Sequence, residues 1–218
     1  MNIPQMQKIV PRLKRAVQAY ETPIVEVIAE EKNDPFRILI STMLSLRTKD
    51  TTTAAASRKL FAVADSPVSM LRLSQKRIEK LIYPVGFYHT KARNILRVCR
   101  ILIDQYAGTV PDSIEQLVEL PGVGRKTANL VVSLGFGKDG ICVDTHVHRI
   151  SNRLGYVRTR TPFETEMALR KKLPRTYWRD INVLLVTWGQ NVCTPISPKC
   201  SECAIRQWCK RVGVEKSR

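Results

Sequence analysis

"LPGVGRKTANLVVSLGFG", Leu120 to Gly137, sets two glycines just ahead of an apolar run with helical composition. Gly122 and Gly124 can both adopt positive φ and expose backbone amides where the helix starts, which makes an anion site. Lys126 then falls in the first turn of that helix, directly behind Arg125. The positive end of a helix is a poor place for an ammonium group. Lys126 therefore either faces anionic groups or is there to be uncharged.

The flanking sequence is helical as well. "PFRILISTMLSL" (35–46) reads as a buried helix that ends in the polar stretch "RTKDTTT" (47–53), which leads into "AAASRKLFAVA" (54–64). "SPVSMLRLSQKRIEKLIYPVG" (66–86) predicts two short helices, the second capped by Ser74. "KARNILRVCRILIDQYAG" (91–108) is amphipathic and closes at Gly108. Asp112 and Ser113 stand as capping residues before a short helix that enters the glycine hairpin. Beyond the hairpin helix, "THVHRISNRLG" (145–155) ends at Gly155. "TPFETEMALRKKL" (161–173) carries a capping box, with Thr161 as cap, Pro162 at the first helical position and Glu164 as partner. "YWRDINVLLVTWGQNVC" (177–193) is the last long helix. No run alternates as a strand would, so the expected fold class is all-α.

The chain has 218 residues and 44% hydrophobic content, enough for one large domain or two small ones with a packed core. Lys and Arg number 36 against 19 Asp and Glu, a formal net charge of +17. That excess favours a polyanionic partner, chiefly nucleic acid. A basic but merely soluble surface is the bland alternative. No apolar run approaches the roughly 20 residues of a membrane helix, and the N-terminus lacks a signal-peptide core. The expectation is a cytoplasmic protein, nucleoid-associated if prokaryotic, with no membrane partner.

Two nucleotide motifs fail at the glycine stretch. A Walker A loop needs glycine directly before the lysine, where Arg125 stands. The dinucleotide fingerprint needs a third glycine where Thr127 stands, and a preceding strand. What remains is a helix–hairpin–helix, a sequence-independent grip on a DNA backbone. Lys126 then has two readings: one more phosphate contact, or a nucleophile. The helix N-terminus and Arg125 disfavour its ammonium form, and so does desolvation, whereas DNA phosphates pull the other way. A neutral lysine can form a Schiff base. Asp144 in "GICVDTHVHRI" (140–150) could return beside the hairpin as a partner carboxylate, or serve only as a helix N-cap.

Six cysteines divide into two kinds. Cys99 and Cys142 stand singly in apolar segments and read as core thiols. Cys193, Cys200, Cys203 and Cys209 form a C-x6-C-x2-C-x5-C array. Four thiolates in so short a loop can surround one ion or one cluster. Zinc sites usually pair two close doublets, and only Cys200 and Cys203 form one here, so a 4Fe–4S cluster fits better than zinc, disulfides or free thiols. It need not turn over electrons; it would fix a loop whose Lys199, Arg206 and Lys210 face phosphate.

Together "LPGVGRKTAN", "VDTHVHR" and the four-cysteine array resemble the endonuclease III family of DNA glycosylases, in the helix–hairpin–helix superfamily, from about Asp34 to Cys209. The resemblance implies a bifunctional DNA N-glycosylase and apurinic or apyrimidinic site lyase that acts on damaged double-stranded DNA as a monomer. It would excise oxidised pyrimidines with Lys126 as nucleophile and Asp144 as its partner, and the four cysteines would hold a 4Fe–4S cluster. It also implies a six-helix domain over 28–138 and a cluster domain from 1–27 plus 139–218. Gly122 and Gly124 would grip the DNA backbone, and His146 and Lys199 would contact phosphate; His148 has no such warrant.

Two positions depart from the family pattern. Arg47 in "SLRTKD" stands where a glutamine usually fills the gap left by a flipped base. Phe87 in "VGFYHTKARN" replaces a leucine wedge and can intercalate, unless it is a core aromatic. The rival readings are a glycosylase for mismatched thymine or adenine, and a non-catalytic iron–sulfur DNA-binding protein.

Overall fold

The computed structural model describes residues 6–31 and 34–218, and every regular element among them is helical. These residues form α1 (Met6–Val17), α2 (Ile24–Glu31), α3 (Pro35–Ser45), α4 (Asp50–Phe61), α5 (Pro67–Leu71), α6 (Gln75–Ile82) and α7 (Tyr88–Tyr106). They continue with α8 (Ile114–Val118), α9 (Arg125–Phe136), α10 (Thr145–Arg153), α11 (Pro162–Lys172) and α12 (Asp180–Asn191). Single 3₁₀ turns lie at Arg175–Tyr177 and Arg206–Trp208. None of the described helices is long and apolar enough to cross a membrane.

The chain divides into two compact units. One is Met1–Pro23, described from Met6, with Asp139–Arg218; the other is Ile24–Lys138. The first division falls at Pro23–Ile24 rather than at 27–28, because α2 is continuous from Ile24 and packs on α3 and α4. The Ile24–Lys138 unit holds α2 to α9, two of which, α5 and α8, are five-residue helices.

In that unit α3 and α9 pair at the centre. Both are apolar nearly all round: Ile38 to Leu44 of α3 and Thr127 to Gly135 of α9 are buried. Gly135 permits the close approach, since a Cβ there would lie 3.2 Å from Pro35. Asp34 caps α3 by accepting from the Phe36 amide at 2.9 Å, with Pro35 at the first position. α7 buries Ala92, Ile95, Val98, Cys99 and Leu102 on one stripe, each Ile or Leu contributing roughly 1.5–3 kcal/mol. It ends in two left-handed residues, Ala107 and Gly108, and the Gly108 amide bonds Leu102 O at 2.8 Å.

Several local expectations need correction. The polar "DTTT" (50–53) is already helical, because Thr53 buries its methyl and returns its hydroxyl to Lys49 O at 3.2 Å. Only Ser113 caps α8, accepting from Gln116 N; Asp112 pairs with Lys138 at 2.6 Å instead. Thr161 caps α11, but the Glu164 carboxylate accepts from the Arg160 amide, one residue past the cap, so the capping box does not close.

In the other unit α1 and α10 pack on α12, and α11 packs on α10, around a core that includes Ile9, Leu13, Val147, Ile150, Leu169 and Leu185. His148 works between α10 and α11, with Nδ1 at 2.7 Å from Thr165 Oγ1. That bond makes His148 an interhelical residue.

Candidate active site and cysteine loop

The hairpin between α8 and α9 is anchored from below and bare above. Leu120 and Val123 are buried, and the Val123 amide closes a turn on Leu120 O at 3.0 Å. Gly122 has φ +83°, the left-handed conformation that favours glycine, and a Cβ on it would come 2.7 Å from Asn94 Nδ2 and push that side chain aside. Gly124 is different. Its φ is −93°, not positive, and a Cβ there would meet nothing within 4 Å. The fold does not need that glycine; its exposed backbone leaves the start of α9 open to an anion. Lys126 follows, half-buried in the first turn of α9.

Two loops of the same unit carry Arg47 and Phe87. Both residues are left-handed, with φ +54° and +58°, and the Arg47 guanidinium lies 5.7 Å from the Phe87 ring centre. Phe87 is 64% exposed, which removes the core-aromatic alternative. Gly86 lets the loops touch, since a Cβ on it would lie 2.7 Å from Arg47 O. Beneath them sits Lys91, which sequence reading passed over. It lies at helical spacing from Ile95 and Leu102 on the apolar stripe of α7, and a lysine on such a stripe is the signal that could have found it. Burial lowers its pKa to about 8.

In the other unit Asp144 is the N-cap of α10. Its Oδ1 accepts from the amides of His146 and Val147 at 2.8 and 2.9 Å. These two bonds fix the orientation of the carboxylate. His146 Nδ1 lies 3.1 Å from Arg149 Nη2, and its ring packs where Gly189 has no side chain. Because a guanidinium only donates, Nδ1 is the acceptor. Arg149 also donates to Gly189 O at 3.1 Å and to Cys193 O at 2.8 Å, tying α10 to the end of α12.

Cys193, Cys200, Cys203 and Cys209 line a single cavity together with Arg153, Lys199 and Arg211. Arg153 Nη1 donates to Cys193 Sγ at 3.4 Å, and the Arg211 amide donates to Cys209 Sγ at 3.4 Å. The buried indole N–H of Trp188 meets no acceptor at hydrogen-bond geometry among the described residues, but it is near enough to Cys203 to favour the thiolate. Burial pushes the Cys203 and Cys209 thiols up, and the neighbouring sulfurs add to it. Among the described residues no three His, Cys, Asp or Glu side chains converge closely enough to hold one metal ion. Four thiols about one cavity, with N–H donors aimed at the sulfurs, fit a cluster that takes one thiolate per iron. Lys199 is half-buried in that wall; Arg206 and Lys210 are exposed, and the Lys210 stem lies over Gly155. Sequence reading missed Arg149, Arg153 and Trp188, because arginine in a basic chain and tryptophan in an apolar helix carry no signal of their own.

Residues 40–175 match the family model of the HhH-GPD superfamily of base excision DNA repair proteins. Endonuclease III of Thermotoga maritima is 51% identical over 180 residues, which is 83% of this chain and 84% of that one. The chain belongs to the endonuclease III family. It is accordingly a base excision repair enzyme, a DNA glycosylase and AP lyase. The chloroplastic endonuclease III homolog 2 of Arabidopsis thaliana is 41% identical over 94% of this chain, which spans 55% of that longer relative. A solved endonuclease III, trapped as a covalent intermediate with DNA, superposes with a TM-score of 0.82 at 34% identity, covering 95% of this chain and 96% of that one.

Proposed function

We propose that this enzyme excises oxidised pyrimidines from duplex DNA and cuts the strand at the resulting site, with Lys126 as nucleophile and Asp144 as its partner carboxylate. One observation carries the reading: Lys126 occupies the first turn of α9, directly behind a hairpin whose Gly124 leaves that helix end uncovered. The hairpin amides would hold a DNA phosphate. The covalent DNA complex solved for a relative supports a covalent route.

Extruding the damaged nucleotide costs a few kcal/mol, less for a poorly stacked lesion. The neutral Lys126 amine attacks C1′ as the glycosidic bond breaks, and the base leaves with the bonding pair and takes up a proton. Loss of the nitrogen proton and opening of the sugar ring give an imine. The Asp144 carboxylate stabilises the positive charge developing at the sugar or accepts the lysine proton. The imine acidifies C2′; loss of that proton expels the 3′ phosphate with the C3′–O pair, and water then hydrolyses the imine.

Arg47 would fill the gap in the stack and offer its planar donors to the orphaned base, while Phe87 wedges beside it. Cys193, Cys200, Cys203 and Cys209 would hold a 4Fe–4S cluster, which when bound supplies iron–thiolate bonds that tie residues 193–209 into one loop. Lys199, Arg206 and His146 would then meet phosphate.

The test is a duplex carrying one oxidised pyrimidine, read for both free base and strand cleavage. Release of the base with a β-elimination product is expected. Base release without cleavage would point to a water nucleophile and a mismatch-type enzyme.

A further inference from the structure

Arg47 and Phe87 belong to different loops, yet both take a backbone conformation that non-glycine residues avoid. Something must hold them there, and Lys91 does so from two directions. The residue is only 8% exposed. Its Nζ donates to Leu44 O at 2.7 Å, Leu46 O at 2.6 Å and Thr48 Oγ1 at 3.2 Å. An ammonium group has three donors, and here three acceptors meet them. Two are carbonyls at the C-terminal end of α3, where a cation is favoured. With Thr48 on the other side, they bracket the turn that carries Arg47.

Its backbone amide meanwhile bonds Phe87 O at 3.0 Å, the first helical bond of α7. The link between the loops closes through Thr48, whose Oγ1 also accepts from the Gly86 amide at 3.2 Å. One residue thus fixes the Arg47 turn by its ammonium group and the Phe87 turn by its amide, while Thr48 joins the two.

We infer that Lys91 is a positioning residue: it holds Arg47 and Phe87 at a set spacing so that both enter the duplex together when the lesion is extruded. The inference rests on the proposal above that these two side chains enter the base stack. Lys91 itself touches neither DNA nor the reacting sugar in this account. Its loss should therefore weaken extrusion of a paired base far more than chemistry on a sugar whose base is already gone.

The cluster-loaded full-length enzyme would be compared with Lys91→Met, Thr48→Val, Arg47→Ala, Phe87→Ala and the Lys91→Met/Phe87→Ala double variant. Single-turnover rates are read on two duplexes, one with an oxidised pyrimidine and one with a preformed abasic site. For Lys91→Met the expected result is about a tenfold loss of base release, the scale of a small misplacement, with imine formation at the abasic site within about twofold. The double variant should be no slower than Phe87→Ala alone. Thr48→Val, which removes one hydroxyl and keeps the shape, should lose about threefold in the same selective way; it decides the matter if Lys91→Met fails to fold. Equal loss on both duplexes, or additive effects in the double variant, would overturn the inference as a merely structural role. If Arg47→Ala and Phe87→Ala slow base release while Lys91→Met and Thr48→Val do not, the inference alone fails. If Arg47→Ala and Phe87→Ala release base at the parent rate, the stack-entry reading fails and takes the inference with it.

Discussion

The glycine hairpin and the Arg47–Phe87 loops both present unusual backbone to solvent, but they are built in opposite ways. The hairpin is local: Leu120 and Val123 anchor it, Gly122 turns it, and α9 starts at Arg125. The two loops are held by bonds that span the sequence, from Lys91 to Leu44, Leu46 and Thr48. A site made of neighbours in sequence leaves a motif. A site made by a distant tether leaves only an oddly placed lysine.

The largest effect is expected at the local site, where Lys126→Gln should abolish the borohydride-trapped adduct and cut base release by at least about a thousandfold in single-turnover assays. Within the shared core, Ile95→Ala on α7 should lower unfolding free energy by about 2–5 kcal/mol in denaturant titration, since Ile95 is fully buried. The two hairpin glycines should separate next. Gly122→Ala forces a left-handed alanine against Asn94 and should lower stability by about 1–2 kcal/mol. Gly124→Ala has room and an ordinary φ, so its melting temperature should stay at the parent value while duplex affinity falls severalfold. Equal melting temperatures for both variants would erase the distinction drawn between them.

The tether is tested through pH. Lys91 unfolded holds its proton to the ordinary pKa of 10.5, and folded only to about 8. Between those values the unfolded chain binds more protons, so the contribution of this group to stability rises with pH. The unfolding free energy of the parent should therefore gain on that of Lys91→Met from pH 8 to 10.5. A difference that stays flat across this window would contradict the lowered pKa of Lys91.

Much of the fold was legible because helices announce themselves by period and cap. Ser74, Ser113 and Thr161 each cap the helix expected of them. Where legibility failed, two chemistries competed for one residue. Asp112 could cap a helix or pair with a cation, and Lys138, distant in sequence, took it. Glu164 was one residue from closing its box, a matter of side-chain reach that sequence does not carry. At the candidate site the two readings of Asp144 are not exclusive: a carboxylate that caps α10 through Oδ1 is also an oriented carboxylate. The exposure of Phe87 depended on the left-handed turn before α7, and that turn depends on Gly86 and Thr48. Gly124 was expected to be left-handed and is extended; its role lies in what it leaves uncovered.

The most direct test of the central claim is peptide mapping of the borohydride-trapped enzyme–DNA adduct by mass spectrometry. One modified peptide is expected, with the deoxyribose remnant on the Nζ of Lys126. A remnant on another lysine, or on the N-terminal amine, would contradict it.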